Sequence, residues 1–299
     1  MVVIQPCEMS CRFCPSGDVG RTVPTGHDHD RQFEDLVDQM EVARRLGVTV
    51  LEIGGNDVLL YPRAVELFRA AGEMGFRAVG AQSPGQRLGD AEFAEAVAGT
   101  GLTQVDLPIY GATAEEHERV TRAPGSFEGL CRAVDRVKGL GRPEVRLHTI
   151  ALKSTLGRLG DLIEMGKERF GIDIHVELLR PNRVGEREHL SDAASLAEIA
   201  SVAELYPGHF GGDVPLCAMP RERAFQLFGQ RGRGDVFGRR LHLWDMGLRE
   251  GSEDMLAMRD RRACFPAACE GCAVRAGCPG VLQAYVGELE QGVVGALSA

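Results

Sequence analysis

Along this chain the apolar positions alternate between two rhythms. Short runs at 2–5, 48–53, 77–81, 104–109, 145–152 and 172–179 are rich in Val, Ile, Leu and Ala and read as strands. Between them apolar residues recur every third or fourth position, over 33–46, 62–74, 91–98, 114–140 and 159–170, as on helices with one face in a core. Asp30 is placed as the N-cap of the first helix and Gly47 as its stop, and the 114–140 segment is expected to break near Pro124-Gly125. Strands alternating with helices in this way predict parallel pairing and right-handed crossovers. The expected fold is α/β, an open or partial (β/α)6 TIM-like barrel. Chemistry in such folds gathers at the carboxyl ends of the strands. Residues 7–14, Gly54-Gly55-Asn56-Asp57, Gln82-Ser83-Pro84-Gly85, Pro108-Ile109-Tyr110-Gly111, Lys153-Ser154 and Arg180-Pro181-Asn182-Arg183 should therefore share one rim.

At 299 residues and 44% hydrophobic content the chain can bury a large domain and a smaller one. A formal charge of −9 argues against a nucleic-acid partner. No apolar run reaches the roughly 18–20 residues that span a membrane, and the first residues lack a signal-peptide pattern, so a cytoplasmic protein is expected. In that compartment nine cysteines point to metal ligation more than to disulfides. They gather at the two ends of the chain. Only Cys131 stands apart, at a helical apolar position that suits a small buried side chain.

Cys7, Cys11 and Cys14 form a Cys-x3-Cys-x2-Cys run, CEMSCRFC, directly after the first strand. Three thiolates so spaced can hold three irons of a [4Fe–4S] cube and leave the fourth open to a small molecule. The spacing, with aromatic Phe13 before the last cysteine, resembles the signature loop of the radical S-adenosylmethionine (radical SAM) enzymes. The resemblance implies a cluster held by these cysteines, with SAM on the open iron. Reductive cleavage of SAM would give a 5′-deoxyadenosyl radical that takes hydrogen from a substrate. It also implies that Phe13 contacts the adenine and that Gly54 and Gly55 let backbone carbonyls approach the methionine end. Asn56 stands where the family usually has an acidic residue, so either Asn56 or Asp57 would meet the ammonium. Pro108, His148 and Arg183 are candidates for ribose and carboxylate contacts, as are Tyr110 and Lys153. For His148 a hydrogen-bonded core position is an equal reading.

A second motif lies at the C-terminus: Cys264, then Cys269-x2-Cys272-x5-Cys278. It resembles the auxiliary-cluster extensions of radical SAM enzymes, SPASM domains and the shortened Twitch form. Leu282 stands where a fuller pattern would have another cysteine, so the short form fits better. Cys217, upstream of an expected hairpin around 223–228, would supply the first ligand. The favoured ligands of an auxiliary [4Fe–4S] cluster are Cys217, Cys269, Cys272 and Cys278, with Cys264 spare; a four-cysteine Zn²⁺ site is the alternative. This divides the chain into a barrel (1–190), a linker helix (191–215) and an auxiliary-cluster domain (216–299). Trp244 and residues 281–289 should pack the small domain, while 232–238 reads as a basic loop and His27-Asp28-His29-Asp30 as a helix cap.

The resemblance leaves the substrate open. The C-terminal motif points to net oxidation, cross-linking or epimerisation in the maturation of a ribosomally made peptide; a small metabolite is the second reading. Six residues before Cys7 leave no room there for a leader-binding domain, so a separate leader-binding protein is expected if the substrate is a peptide. A flavodoxin- or ferredoxin-like protein would donate the electron. A non-enzymatic iron–sulfur or zinc protein is the remaining alternative.

Overall fold

Six short strands line up in chain order, every neighbouring pair parallel. They are β1 (Val2–Val3), β2 (Val50–Gly55), β3 (Ala78–Gln82), β4 (Gln104–Pro108), β5 (Glu144–Ala151) and β6 (Ile174–Leu178). The computed structural model describes residues 1–3, 6–14, 26–179, 190–210, 214–232, 263–282, 285–287, 291–292 and 294. Arg183 and Trp244 lie outside these residues, as do 233–238 of the expected basic loop and the side chain of Cys264. Strands that follow one another in sequence and in space, joined by right-handed crossovers, put every connecting helix on one side of the sheet. This is the partial TIM-like barrel expected from the sequence.

The helices are α1 (His29–Arg45), α2 (Ala64–Glu73), α3 (Ala91–Ala98), α4 (Ala114–Thr121), α5 (Ser126–Leu140), α6 (Lys153–Leu156), α7 (Leu159–Met165), α8 (Leu196–Leu205) and α9 (Arg221–Gly232). The expected break at Pro124-Gly125 separates α4 from α5, with Arg122 and Gly125 both left-handed. Two expectations are corrected. The cap of α1 is Asp28, whose carboxylate accepts from the N–H groups of Asp30 and Arg31 at 2.9 and 3.0 Å. Asp30 instead sits in the first turn and pairs with Arg63. Residues 223–228 are part of α9 and not a hairpin. No glycine or asparagine reverses the chain there, and Ala224 and Leu227, at helical spacing, are both buried. The C-terminal hairpin pairs β7 (Ala263–Cys264) with β8 (Val281–Leu282).

The two faces of the sheet differ in chemistry. Register aligns Leu51 with Val79, Val105 with Val145, and Leu107 with Leu147 and Ile174, and all are buried. The alternate positions carry Glu52, Gln82, Gln104, Asp106, Arg146, His148, His175 and Glu177. One face thus packs against helices, and the other is a polar wall. At the free edge of β6, Phe210 forms a parallel bridge with Val176, which covers backbone groups that would otherwise offer themselves to another strand. The core is continuous into the C-terminal part, where Leu216, Val274, Val281 and Tyr285 join the same buried cluster as the strands. Among the described residues no helix is long and apolar enough to cross a membrane.

Gly72 of α2 and Gly101 before β4 pack backbone on backbone: a Cβ on Gly101 would lie 2.2 Å from the Gly72 Cα. Neither main chain can move without shifting a strand or a helix. Gly101→Ala is expected to lower stability by about 2 kcal/mol, read from urea denaturation of the chain followed by circular dichroism.

Candidate active site

The cysteine loop follows β1 at the carboxyl edge of the sheet and is held from the far side by the segment from the end of β4 to the end of α4. Ser10 donates its N–H to the Thr121 carbonyl at the end of α4, at 2.7 Å. Phe13 meets Tyr110, just past β4, ring edge to face at 5.3 Å. Within the loop, Cys14 N–H donates to the Cys11 carbonyl at 3.0 Å and Met9 N–H to the Cys7 Sγ at 3.4 Å. All three thiols are half-buried. Burial pushes those of Cys7 and Cys11 up to about 12. Asp57, Cys14 and Glu8 add repulsion at Cys7, while Cys14 and Cys7 do so at Cys11. One cation works the other way: Arg122 favours the Cys11 thiolate.

At the end of β2, Gly55 has φ 148°, and a Cβ there would collide with the Val3 carbonyl. Its glycine is required by the close approach of β1. Asp57 is buried, and its Oδ1 accepts from Ser83 Oγ at 2.6 Å and from Leu59 N–H at 3.1 Å. Burial raises this carboxyl to about 6. Asp57 thus ties the turn after β2 to the turn after β3. Asn56, beside Gly55, is half-buried. Pro108 ends β4, and His148 lies opposite it in register on β5, on the polar face and half-buried. His148 is therefore no packed core residue.

Between the loops after β4 and β5 lies a cavity whose floor includes Phe13, Tyr110, Val120, Ile150 and Leu152. Behind it His117 is buried, its ring stacked 5.7 Å from Tyr110 and its Nδ1 accepting the Tyr110 N–H at 3.2 Å. Burial lowers His117 to about 4, so it is neutral and fixes Tyr110. Arg122 and this aromatic stack were not legible in the motifs. Arg122 alone carried a signal, as a bulky residue two positions before Pro-Gly where a helix must stop. Its φ of 52° is the one positive value among the non-glycine residues described.

In the C-terminal part, Cys217, Cys269, Cys272 and Cys278 line one cavity. Burial pushes Cys217 up to about 12, and Cys278, Cys269 and Cys272 each add repulsion. Among the described residues no three His, Cys, Asp or Glu side chains converge tightly enough to chelate a single ion.

The family model of the radical SAM superfamily matches residues 1–166. The chain belongs to this superfamily. It is 28% identical over 181 residues to the mycofactocin maturase MftC of Mycobacterium ulcerans, covering 60% of this chain and 46% of that protein. It is 27% identical over 192 residues to the AdoMet-dependent heme synthase of Methanosarcina barkeri, 64% of this chain and 52% of that one. The chain thus spans about half the length of these curated relatives. Among solved structures, SuiB of Streptococcus suis bound to S-adenosylmethionine superposes with a TM-score of 0.59 at 14% identity, over 74% of this chain and 52% of that one. That likeness is one of fold.

Membership in a superfamily of enzymes implies a [4Fe–4S] cluster and SAM, and the donor set of this radical SAM chain fits them. Three thiols, soft ligands suited to iron, stand within eight residues on a loop pinned to Thr121 and Tyr110. The raised values of Cys7 and Cys11 mean that metal must displace protons on binding there, which the charge of the irons favours. Neutral His117 gives a test of the packing behind the loop. Its folded value near 4 lies below its ordinary 6.5, so the unfolded chain binds the extra proton and stability falls as pH drops from 6.5 toward 4. His117→Asn, which keeps an acceptor for Tyr110, should be less stable at pH 7. Its urea midpoint should change less over that acid window than the wild-type midpoint does.

Proposed function

We propose that this chain reductively cleaves S-adenosylmethionine at the cluster of Cys7, Cys11 and Cys14, and that the 5′-deoxyadenosyl radical so supplied abstracts hydrogen from a ribosomally made peptide during its maturation. The observation that carries the reading is the cysteine loop itself, which crosses the mouth of the sheet from the β2 turn to the end of α4. Gly54, Gly55 and Asn56 lie on one side of it, to receive the amino end of the methionine. Arg122 lies on the other, near Cys11, placed to pair with a carboxylate. Phe13 and the apolar floor at Ile150 and Leu152 suit a flat purine and exclude water from it. Pro108 and His148 stand lower on the polar wall, toward a substrate.

A peptide substrate is supported by two relatives: MftC is named a maturase, and SuiB has been crystallised with its precursor peptide SuiA. The second reading, a small metabolite, has its own support in the heme synthase and GTP 3′,8-cyclase relatives. The four convergent C-terminal cysteines are read as holders of an auxiliary cluster. They line one cavity, and four thiols are the ligand number of a closed [4Fe–4S] cluster, with a four-cysteine zinc site as the alternative. The barrel would then end near residue 190, and the auxiliary domain would begin near 216. A net oxidation would pass an electron to this second cluster, and a flavodoxin- or ferredoxin-like donor would reduce the first. A separate leader-binding protein would present a peptide substrate.

Anaerobic reconstitution with iron and sulfide should yield about eight irons per chain, and SAM with dithionite should yield 5′-deoxyadenosine. Alanine at Cys7, Cys11 and Cys14 should abolish the nucleoside and keep the second cluster, whereas Cys264→Ala should lose no iron. About four irons with a bound zinc would overturn the auxiliary cluster; nucleoside formation without the three N-terminal cysteines would overturn the site. Arg122→Gly removes the charge and keeps the left-handed turn. It should weaken SAM binding about tenfold or more without lowering the melting temperature.

A further inference from the structure

Before α8 begins, residues 190–194 cross back over the carboxyl end of β5, where Ala193 forms an antiparallel bridge with Leu152. Ala194 N–H donates to the Ala151 carbonyl at 3.4 Å. Asp192 completes the attachment: its Oδ1 accepts the Ser154 N–H at 2.8 Å and its Oδ2 the Ser154 hydroxyl at 2.5 Å. Continuation along the sheet needs no such crossing, since Phe210 reaches the free edge of β6 after α8. Ordering the crossing costs about 1–2 kcal/mol per residue in backbone entropy. Two hydrogen bonds to a carboxylate on a solvent-facing turn recover part of that.

The strap reaches a particular place. Asp192 and Ser154 line the same cavity as Phe13 and Tyr110. Across that cavity a second tie joins the β4 loop to α7: Glu116 accepts the Ala112 N–H at 3.0 Å with one oxygen and pairs with Arg158 at 3.1 Å with the other. The cavity has an aromatic and aliphatic floor beside Cys11 and two braced polar walls. A planar, weakly polar ring with hydrogen-bonding edges matches that chemistry. The methionine end of SAM is directed elsewhere, toward the β2 turn.

Resting on the reading of the site given above, we infer that residues 190–194 form one wall of the slot for the nucleoside end of SAM, and that Asp192 is a positioning residue which holds that wall through Ser154. Asp192 touches neither cluster nor reacting atoms in this assignment; it acts by fixing the strap.

Isothermal titration of the anaerobically reconstituted chain with SAM, 5′-deoxyadenosine and methionine tests this without turnover. Asp192→Ala should weaken SAM and 5′-deoxyadenosine about tenfold, leaving methionine affinity and iron content unchanged. Asp192→Asn, which keeps an acceptor for the Ser154 hydroxyl, should recover most of the loss, and Ser154→Ala, which deletes only one bond, should fall between. Unchanged nucleoside affinity in both Asp192→Ala and Ser154→Ala, with wild-type iron, would overturn the assignment and leave the proposed activity standing. Equal losses for methionine would also overturn it, by showing general damage. A wild-type chain that binds none of the three would overturn the proposed function and this inference with it.

Discussion

The site depends on where α4 stops. The last carbonyls of a helix have no partner within it. Here Arg122 turns left-handed, its N–H still bonded to the Glu118 carbonyl at 2.8 Å, and the carbonyl of Thr121 is left facing outward. That carbonyl receives Ser10. The cysteine loop follows a strand of only two residues, so it has little regular structure to restrain it. Each residue it orders costs about 1–2 kcal/mol. The Ser10 bond and the Phe13–Tyr110 contact are what the loop gains from the far side of the sheet. Tyr110 in turn is held by His117, one turn along α4. One helix terminus and one buried imidazole therefore fix the position of three thiols.

The electrostatics follow from that placement. Three thiols are brought together in partial burial, with Asp57 and Glu8 near Cys7 and Glu177 near Tyr110. Burial first, then the thiols and Glu177, push the Tyr110 hydroxyl well above its ordinary value. Such a place is costly for anions until positive charge arrives. A bound iron–sulfur cluster would supply that charge. The C-terminal cavity repeats the arrangement, with Cys217 brought from a distant segment to face Cys269, Cys272 and Cys278. Burial is the largest cause of the raised values of Cys7, Cys11 and Cys217, with neighbouring thiols adding repulsion at each.

Much of this architecture was legible because it is local. Strand and helix periodicities placed all six strands within about two residues, and Pro124-Gly125 marked the break between α4 and α5. The three clustered cysteines, with Phe13, carried the resemblance to the superfamily whose model matches residues 1–166. What escaped was whatever depends on partners distant in sequence. The bond of Asp57 to Ser83, 26 residues away, which braces two turns, has no sequence signature. Asp28 and Asp30 are equally good caps on paper, and only the geometry of the first turn chooses between them. The stretch 223–228 read as a hairpin by expectation of what precedes such a cysteine motif, although its own residues favour a helix. The Asp192–Ser154 tie, 38 residues apart, has no sequence signature.

The polar face of the sheet sets the last constraint. A closed eight-stranded barrel fills its interior with layers of branched apolar side chains. Among the described residues the sheet has six strands, and the corresponding positions of β4 to β6 are Gln104, Asp106, Arg146, His148, His175 and Glu177. In β4 and β5 half-buried Gln104, Asp106, Arg146 and His148 alternate with buried Val105, Leu107, Val145 and Leu147, so this part of the second face is not an apolar core. Charged and amide groups there must be met by water, by other parts of the chain or by a ligand. The cysteine loop rises from the same carboxyl edge. A group held against that wall near His148 lies beneath the loop, so the wall that the fold leaves polar is also the wall that faces the chemistry.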